Sequence, residues 1–198
     1  MRHQEIIFKD IVMKIQHDDI KKIEIPPLHD YAFRFYEAGD METLAMITHA
    51  AGEFETKAAA LAYFRKRFLL NTQALSQRMV FLMDDKQVSV GTGCAWFFQD
   101  QPLLHYIAVK PSHQGQGLGR ALAALTTRLF LDLHPHQDPF LKTQTTSYKA
   151  VKLYHSLGYH MIKANSYYGK QNDFDGAIAV LSEILDGETV AGLIKNAQ

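Results

Sequence analysis

Cysteine is almost absent: Cys94 is the only one in 198 residues, so no internal disulfide can form and a reducing cytoplasm suits the chain. Cys94 lies in an apolar, strand-like run, where most cysteines are inert, and a nucleophilic role is not expected of it. An excess of charge is lacking too. Lys plus Arg and Asp plus Glu both number 21, for a formal net charge of zero. Such a chain has little long-range field to draw it to nucleic acid or to an anionic membrane, so neither is an expected partner. Long apolar runs are missing as well, and no stretch approaches the ~18 uninterrupted apolar residues of a spanning helix. The start, MRHQEIIFKDIVMKIQHDD, carries charges throughout and has no apolar centre of the kind a secretory signal needs. The expectation is a soluble, cytoplasmic protein.

What is present is 47% hydrophobic residues, enough at this length to bury one sizeable core. From Glu5 to Ile15 the β-branched and apolar residues predict a strand or hairpin, closed off by Pro26 and Pro27. Residues 1–30 therefore read as an N-terminal β appendage to a domain spanning 31–198. Tyr31, Phe33 and Phe35 alternate with other residues as in a strand. Asp40 is placed to cap a helix through Leu44 and Ile47, and a second helix is expected over 56–70, with Leu61, Phe64 and Phe68 on one face. Strands are predicted over Met79–Met83, Val88–Phe98 and Leu103–Val109. A helix follows through Leu118, Ala121, Leu122, Leu125 and Leu129. After it come a strand over Phe140–Thr145, a helix from Ala150 to Leu157 ending at Gly158, and a strand over Tyr159–Ile162. Ala177 to Leu185 fits strand and helix equally. Strands first, then strand–helix–strand–helix–strand, imply an α/β fold with a mixed sheet flanked by helices.

The segment IAVKPSHQGQGLGR, from Ile107 to Arg120, sets a glycine-rich turn between a strand end and a helix start. The first amides of a helix lack internal partners and the helix dipole favours negative charge there. Glycines at Gly115, Gly117 and Gly119 leave those donors open to a phosphate. A plain βα connection fits the glycines alone equally well. Two rival phosphate motifs fail. A Walker loop needs Gly-Lys-Ser/Thr, but Gly119 is followed by Arg120 and Ala121. A dinucleotide fingerprint needs its third glycine where Arg120 stands.

The segment is similar to the GCN5-related N-acetyltransferase (GNAT) superfamily. Its Gln/Arg-x-x-Gly-x-Gly/Ala signature matches Gln114, Gly117 and Gly119, preceded by Ala108–Val109 and Pro111. A second element, Ser147-x-x-Ala150-x-x-Leu153-Tyr154-x-x-x-Gly158-Tyr159, matches the family's Asn-x-x-Ala-x-x-Leu-Tyr followed by Gly-Phe or Gly-Tyr, with Ser147 in place of the usual asparagine. The resemblance spans most of Tyr31 to Ile162. It implies a GNAT-like acyl-CoA N-acyltransferase fold: a mixed, mostly antiparallel sheet whose central parallel strands splay around coenzyme A. The implied activity is direct transfer of an acetyl group from acetyl-CoA to a small amine or amino-acid-like acceptor. A non-catalytic acyl-CoA sensor and a transferase for a longer acyl-CoA are the alternatives. No metal is expected.

The resemblance also assigns roles. Main-chain groups of Ile107, Ala108 and Val109 would pair with the pantetheine arm, near which Ser147 would lie. Gln114, Gly115, Gln116, Gly117, Leu118, Gly119 and Arg120 would hold the pyrophosphate. Tyr154 would protonate the departing thiolate, a phenol with a reference pKa of ~10 against ~8.5 for a cysteine-type thiol. The acceptor needs a base, because supplying a neutral alkylamine at pH 7 costs roughly 4–5 kcal/mol. The glutamate some relatives use falls at Leu103 here. His105 lies two residues on, on the same strand face by alternation, and arylalkylamine N-acetyltransferases are similar in placing a histidine there. A hydrogen-bonded core histidine is the plainer role for His105, as simple packing is for Tyr154. Arg65–Lys66–Arg67 reads as a solvated helix face and His134-Pro-His136 as a surface loop. Glu37, Asp40 and Glu53 are candidates for the acceptor cleft. The extra N-terminal strands suit a homodimer, either by extending a sheet or by packing on another subunit.

Overall fold

Helix α1 (His17–Ile20) follows strand β1 (Asp10–Lys14), and strand β2 (Ala32–Phe35) precedes three helices, α2 (Met41–Ala50), α3 (Lys57–Phe68) and α4 (Thr72–Arg78). Three strands then run in succession, β3 (Met79–Met83), β4 (Ser89–Phe98) and β5 (Gln101–Val109). Helices α5 (Leu118–Arg128) and α6 (Phe130–Leu133) lead to β6 (Phe140–Gln144), α7 (Tyr148–Ser156) and β7 (His160–Met161). A short hairpin, β8 (Ser166–Tyr167) with β9 (Lys170–Gln171), precedes α8 (Phe174–Ser182) and α9 (Gly187–Lys195). These elements come from a computed structural model that describes residues 6–68 and 70–198. Among the described residues, seven strands form one mixed sheet in the order β2-β3-β4-β5-β6-β1-β7. Four of its pairs, β1–β6, β1–β7, β2–β3 and β3–β4, are antiparallel, and Leu103 of β5 pairs with Phe140 of β6 in parallel. The mixed, mostly antiparallel sheet flanked by helices is the fold class that the sequence predicts.

The contacts divide the chain into two units, one of residues 1–23, 98–103 and 134–198, the other of residues 24–97 and 104–133. In the second unit β3 is buried on both faces, and its alternation sorts its residues between two cores. Met79, Phe81 and Met83 join Leu44, Ile47, Phe64, Phe68 and Trp96 beneath α2 and α3, whereas Val80 and Leu82 join Val90, Val109, Leu118 and Leu122 beneath α5. Gly93 of β4 makes room for α5. A β-carbon there would come within 2.5 Å of the Thr126 hydroxyl and 2.8 Å of Ile107 Cδ1.

In the first unit β1 is hydrogen-bonded on both edges, to β6 and to β7. It thus holds an interior place in the sheet, although its residues fall in the segment that the sequence sets apart as an appendage. The predicted strand reaches back to Glu5, which lies outside the described residues. Asn172 fastens this unit: its Oδ1 accepts from the Val12 amide at 2.8 Å, and its Nδ2 donates to the carbonyls of Ile162 at 2.6 Å and Ala164 at 2.8 Å.

Several elements differ from the sequence reading or settle what it left open. Asp40 occupies the N-cap position of α2 but makes no capping bond, because its carboxylate takes both Arg34 nitrogens (2.7 and 3.1 Å) and the Glu37 amide. Helix α4 is unannounced, since Thr72–Arg78 has no apolar period and buries only Leu75. The strand expected over Tyr159–Ile162 shortens to His160–Met161. The ambiguous segment is helical: the Asp173 carboxylate caps it through the Gly176 amide, and Ala177 and Leu181 bury one face.

Two outcomes test this description. Asn172→Ala leaves two buried backbone groups and a partly buried one unpaired and should cost about 2–4 kcal/mol, lowering the thermal midpoint by about 4–16 °C. Cys94 is fully buried, and that desolvation pushes its thiol well above the ordinary cysteine range against the pull of Arg78 and Arg67. Ellman's reagent at pH 8 should therefore find no reactive thiol in the native protein and one after denaturation in guanidinium.

Candidate acyl-CoA site

Strand β5 loses its regular alternation midway. Tyr106 has φ +54°, a left-handed conformation that costs an L residue about 1–2 kcal/mol. Neighbours in a regular strand point to opposite faces, yet the ring centroids of His105 and Tyr106 are 3.7 Å apart with planes 23° from parallel. The aromatic side chain is wedged in place. Its ring meets Phe64 edge-on at 5.0 Å and Phe68 at 5.9 Å, and its hydroxyl lies 3.2 Å from that of Tyr63. Burial, reinforced by the Tyr63 hydroxyl, pushes the Tyr106 phenol above the usual tyrosine range.

Beyond this break Ile107 is half-buried, and Ala108 and Val109 are buried. The Lys110 amide donates to the Val90 carbonyl at 2.8 Å. A single tight turn, Pro111–His113, then reverses the chain, and Gln114 spans it by donating from Nε2 to the Val109 carbonyl at 2.8 Å. Gly115 and Gly117 have φ of +81° and +78°, and a β-carbon at either would meet nothing within 4 Å. Glycine is needed there for its backbone freedom, and what it leaves is open surface. Gly117 is the N-cap of α5, whose first internal bonds run from the Arg120 and Ala121 amides to the Gly117 carbonyl. Among the described residues no backbone carbonyl accepts from the amides of Gly115, Gln116, Gly117, Leu118 or Gly119. The Leu118 side chain is buried with Val80 and Leu122, anchoring the first turn, while the Gln116 Oε1 accepts from the Tyr31 hydroxyl at 3.1 Å. Arg120 is exposed. One continuous stretch of the second unit thus carries His105, the strand end at Ile107–Val109, and a row of amides aligned with a helix N-terminus.

The first unit holds the remaining two candidates on α7. Ser147 ends a short turn, Thr145–Ser147, and stands at the helix N-cap, where its hydroxyl accepts from Gln144 Nε2 at 3.0 Å. Tyr154 is two turns further on, 8% exposed, with its ring 5.9 Å from that of Tyr159. The helix stops at Gly158, whose φ is +97°.

The other residues noted in the sequence lie as follows. Arg65 and Lys66 are exposed as a solvated face should be, but Arg67 is drawn in, 5.5 Å above the Trp96 ring. His134 is bonded through Nδ1 to Gln137 Oε1, and among the described residues no group of three metal-binding side chains occurs. Asp40 is occupied by Arg34, and Glu37 lies 3.8 Å from the same guanidinium. Glu53 is exposed. No helix among the described residues is long and apolar enough to cross a membrane. Tyr63 and Tyr106 were not singled out in the sequence. Their signal would have been a tyrosine beside the candidate base, facing an aromatic-rich helix.

Comparison with known proteins supplies the frame for this geometry. The family model of the Acetyltransferase (GNAT) domain matches residues 76–161. The GCN5-related N-acetyltransferase from Sphaerobacter thermophilus superposes with a TM-score of 0.61 at 17% identity, over 77% of this chain and 48% of that one. A tandem GNAT protein from the clavulanic acid biosynthesis pathway gives 0.59 at 14% identity, over 79% and 51%. A GNAT-family acetyltransferase from Colwellia psychrerythraea gives 0.59 at 11%, over 78% and 54%. The chain spans about half the length of these structures, and at such identities the likeness is one of fold. A search of curated proteins finds no match. The chain is thus similar to GNAT acetyltransferases in a domain over residues 76–161 and in the fold of these structures.

Proposed function

We propose that the protein is an acetyl-CoA-dependent N-acetyltransferase that acts by direct transfer on a small amine or amino-acid-like acceptor. The observation that carries this reading is the row of amides from Gly115 to Gly119, held open by left-handed glycines at the start of α5. Hydrogen bonds to a charged acceptor contribute roughly 1.5–3 kcal/mol each, and several such donors in one row suit a diphosphate. Gln114 sets the row's position through Val109, and the edge of Ile107–Val109 would take the pantetheine amides as a strand takes a neighbour. Ser147 would meet the same arm with a hydroxyl where relatives have an amide.

Chemistry on this reading needs one acid and one base. The amine nitrogen attacks the thioester carbonyl, the carbon–sulfur bond breaks, and the thiolate takes a proton from Tyr154. His105, neutral, takes a proton from the attacking amine directly or through water. Its orientation is set by the stacking on Tyr106.

Calorimetric titration of the protein with coenzyme A tests the binding half. Gly117→Ala forces a side chain into a left-handed site over the amide row, and about tenfold weaker binding is expected. Thiol release with acetyl-CoA across an amine panel tests the chemistry. Tyr154→Phe should lower turnover by about 10²–10⁴-fold while leaving coenzyme A affinity unchanged. A base must be neutral to act, so the wild-type rate should fall on the acid side, and His105→Ala should flatten that limb. Unchanged turnover in Tyr154→Phe would remove the acid role.

A further inference from the structure

Beside His105 the second unit gathers two phenols that, among the described residues, have only each other as hydrogen-bond partners, and a guanidinium close by. Tyr63 and Arg67 stand one turn apart on α3 and share a ridge of that helix. The Tyr63 and Tyr106 hydroxyls are 3.2 Å apart. Two phenols that share one hydrogen bond use one hydrogen and leave the other to donate elsewhere. Among the described residues neither hydroxyl has a further hydrogen-bond partner. Arg67 lies 5.5 Å over Trp96 and 6.0 Å over Phe68, and among the described residues it makes no ion pair. Its guanidinium brings five more donors and a fixed positive charge.

The charge reaches Tyr106. Arg67 acts electrostatically on the Tyr106 hydroxyl, and among the described residues no carboxylate does. Tyr63 is 42% exposed, so its end of the strip lies open to solvent while Arg67 and Tyr106 are half-buried, and Phe54, at 5.3 Å, supports its ring. A cation in the last turn of a helix also favours the helix dipole. Arg65 and Lys66 supply that from exposed positions, whereas Arg67 is seated on an aromatic face that orients its planar fork. A spare phenol hydrogen beside a guanidinium that makes no ion pair among the described residues is complementary to an anion. A planar fork matches a carboxylate best.

We infer that Arg67, Tyr63 and Tyr106 form an anion subsite for the acceptor, whose amine is presented near His105 while a carboxylate on the same molecule lies against Arg67. The acceptor is then an amino acid or another amine that carries a carboxylate. The amine end of this inference rests on the transfer reading above; the anion end stands on the donors themselves.

The experiment uses the full chain saturated with coenzyme A for binding, or with acetyl-CoA for turnover. Its probes are free amino acids, their decarboxylated amines and their primary amides, read by calorimetry and by thiol release. At least one amino acid should be used about tenfold or more better in kcat/KM than its amine and its amide. Arg67→Gln should raise KM for that amino acid about 10–100-fold, leave KM for acetyl-CoA and for the amine unchanged, and abolish the preference; Tyr63→Phe should raise it about 3–10-fold. Arg67→Lys, which keeps the charge, should retain part of the preference and verifies that loss in Arg67→Gln is not a folding defect. Carboxylate-dependent binding that Arg67→Gln abolishes, without thiol release, supports the subsite and sinks acetyl transfer. Thiol release indifferent to the carboxylate overturns the subsite and leaves transfer standing. Absence of binding by every carboxylate probe also overturns it, as does an equal loss for amino acid and amine in Arg67→Gln.

Discussion

The passage from β5 into α5 hangs on the hydrogen bond from the Gln114 side chain to the Val109 carbonyl. It joins the last residue of a buried strand to the start of a glycine bend, and so fixes where the helix begins relative to the strand that precedes it. Everything downstream follows from that placement. The bend ends at Gly117, and Leu118, the first residue of the helix, enters the core directly after it. The signature glutamine is therefore first a structural residue, one that gives the amide row its position.

Much of the fold was legible because the apolar patterns are long and local rules agree with them. The strands β3 to β6 and the helices α3, α5 and α7 all appear where periodicity put them. What escaped did so for identifiable reasons. Asp40 has the right identity and place for a cap, but a guanidinium six residues earlier competes for its oxygens, and a charged bidentate partner wins over a single amide. Helix α4 has no amphipathic stripe to announce it. The run Ala-Ile-Ala-Val-Leu could not decide between strand and helix, and the deciding residue, Asp173, sits upstream as an N-cap. The interior position of β1 was hidden because pairing partners distant in sequence leave no trace in a strand's own pattern.

The backbone of the candidate site was legible in its glycines, and its aromatic surroundings were not. A glycine turn before a helix signals its backbone in the residue type itself, and Gly115 and Gly117 adopt the left-handed geometry that glycine makes cheap. Tyr106 adopts the same region without any such signal, because a tyrosine in a strand reads as a tyrosine in a strand. Its conformation is imposed from outside by Phe64, Phe68 and Tyr63. Arg67 escaped in the same way. Within a run of three cations nothing distinguishes it, and only the approach of Trp96 separates it from Arg65 and Lys66.

Gly93 carries a consequence for how an anion would be met. With hydrogen in place of a methyl group, β4 lets the Thr126 hydroxyl and the Ile107 side chain come closer than any β-carbon would permit. The helix packs against the strand at near-backbone distance. On the proposed reading, an anion arriving at its N-terminus would meet a helix already packed in place, and little of the binding free energy would be lost to ordering the protein.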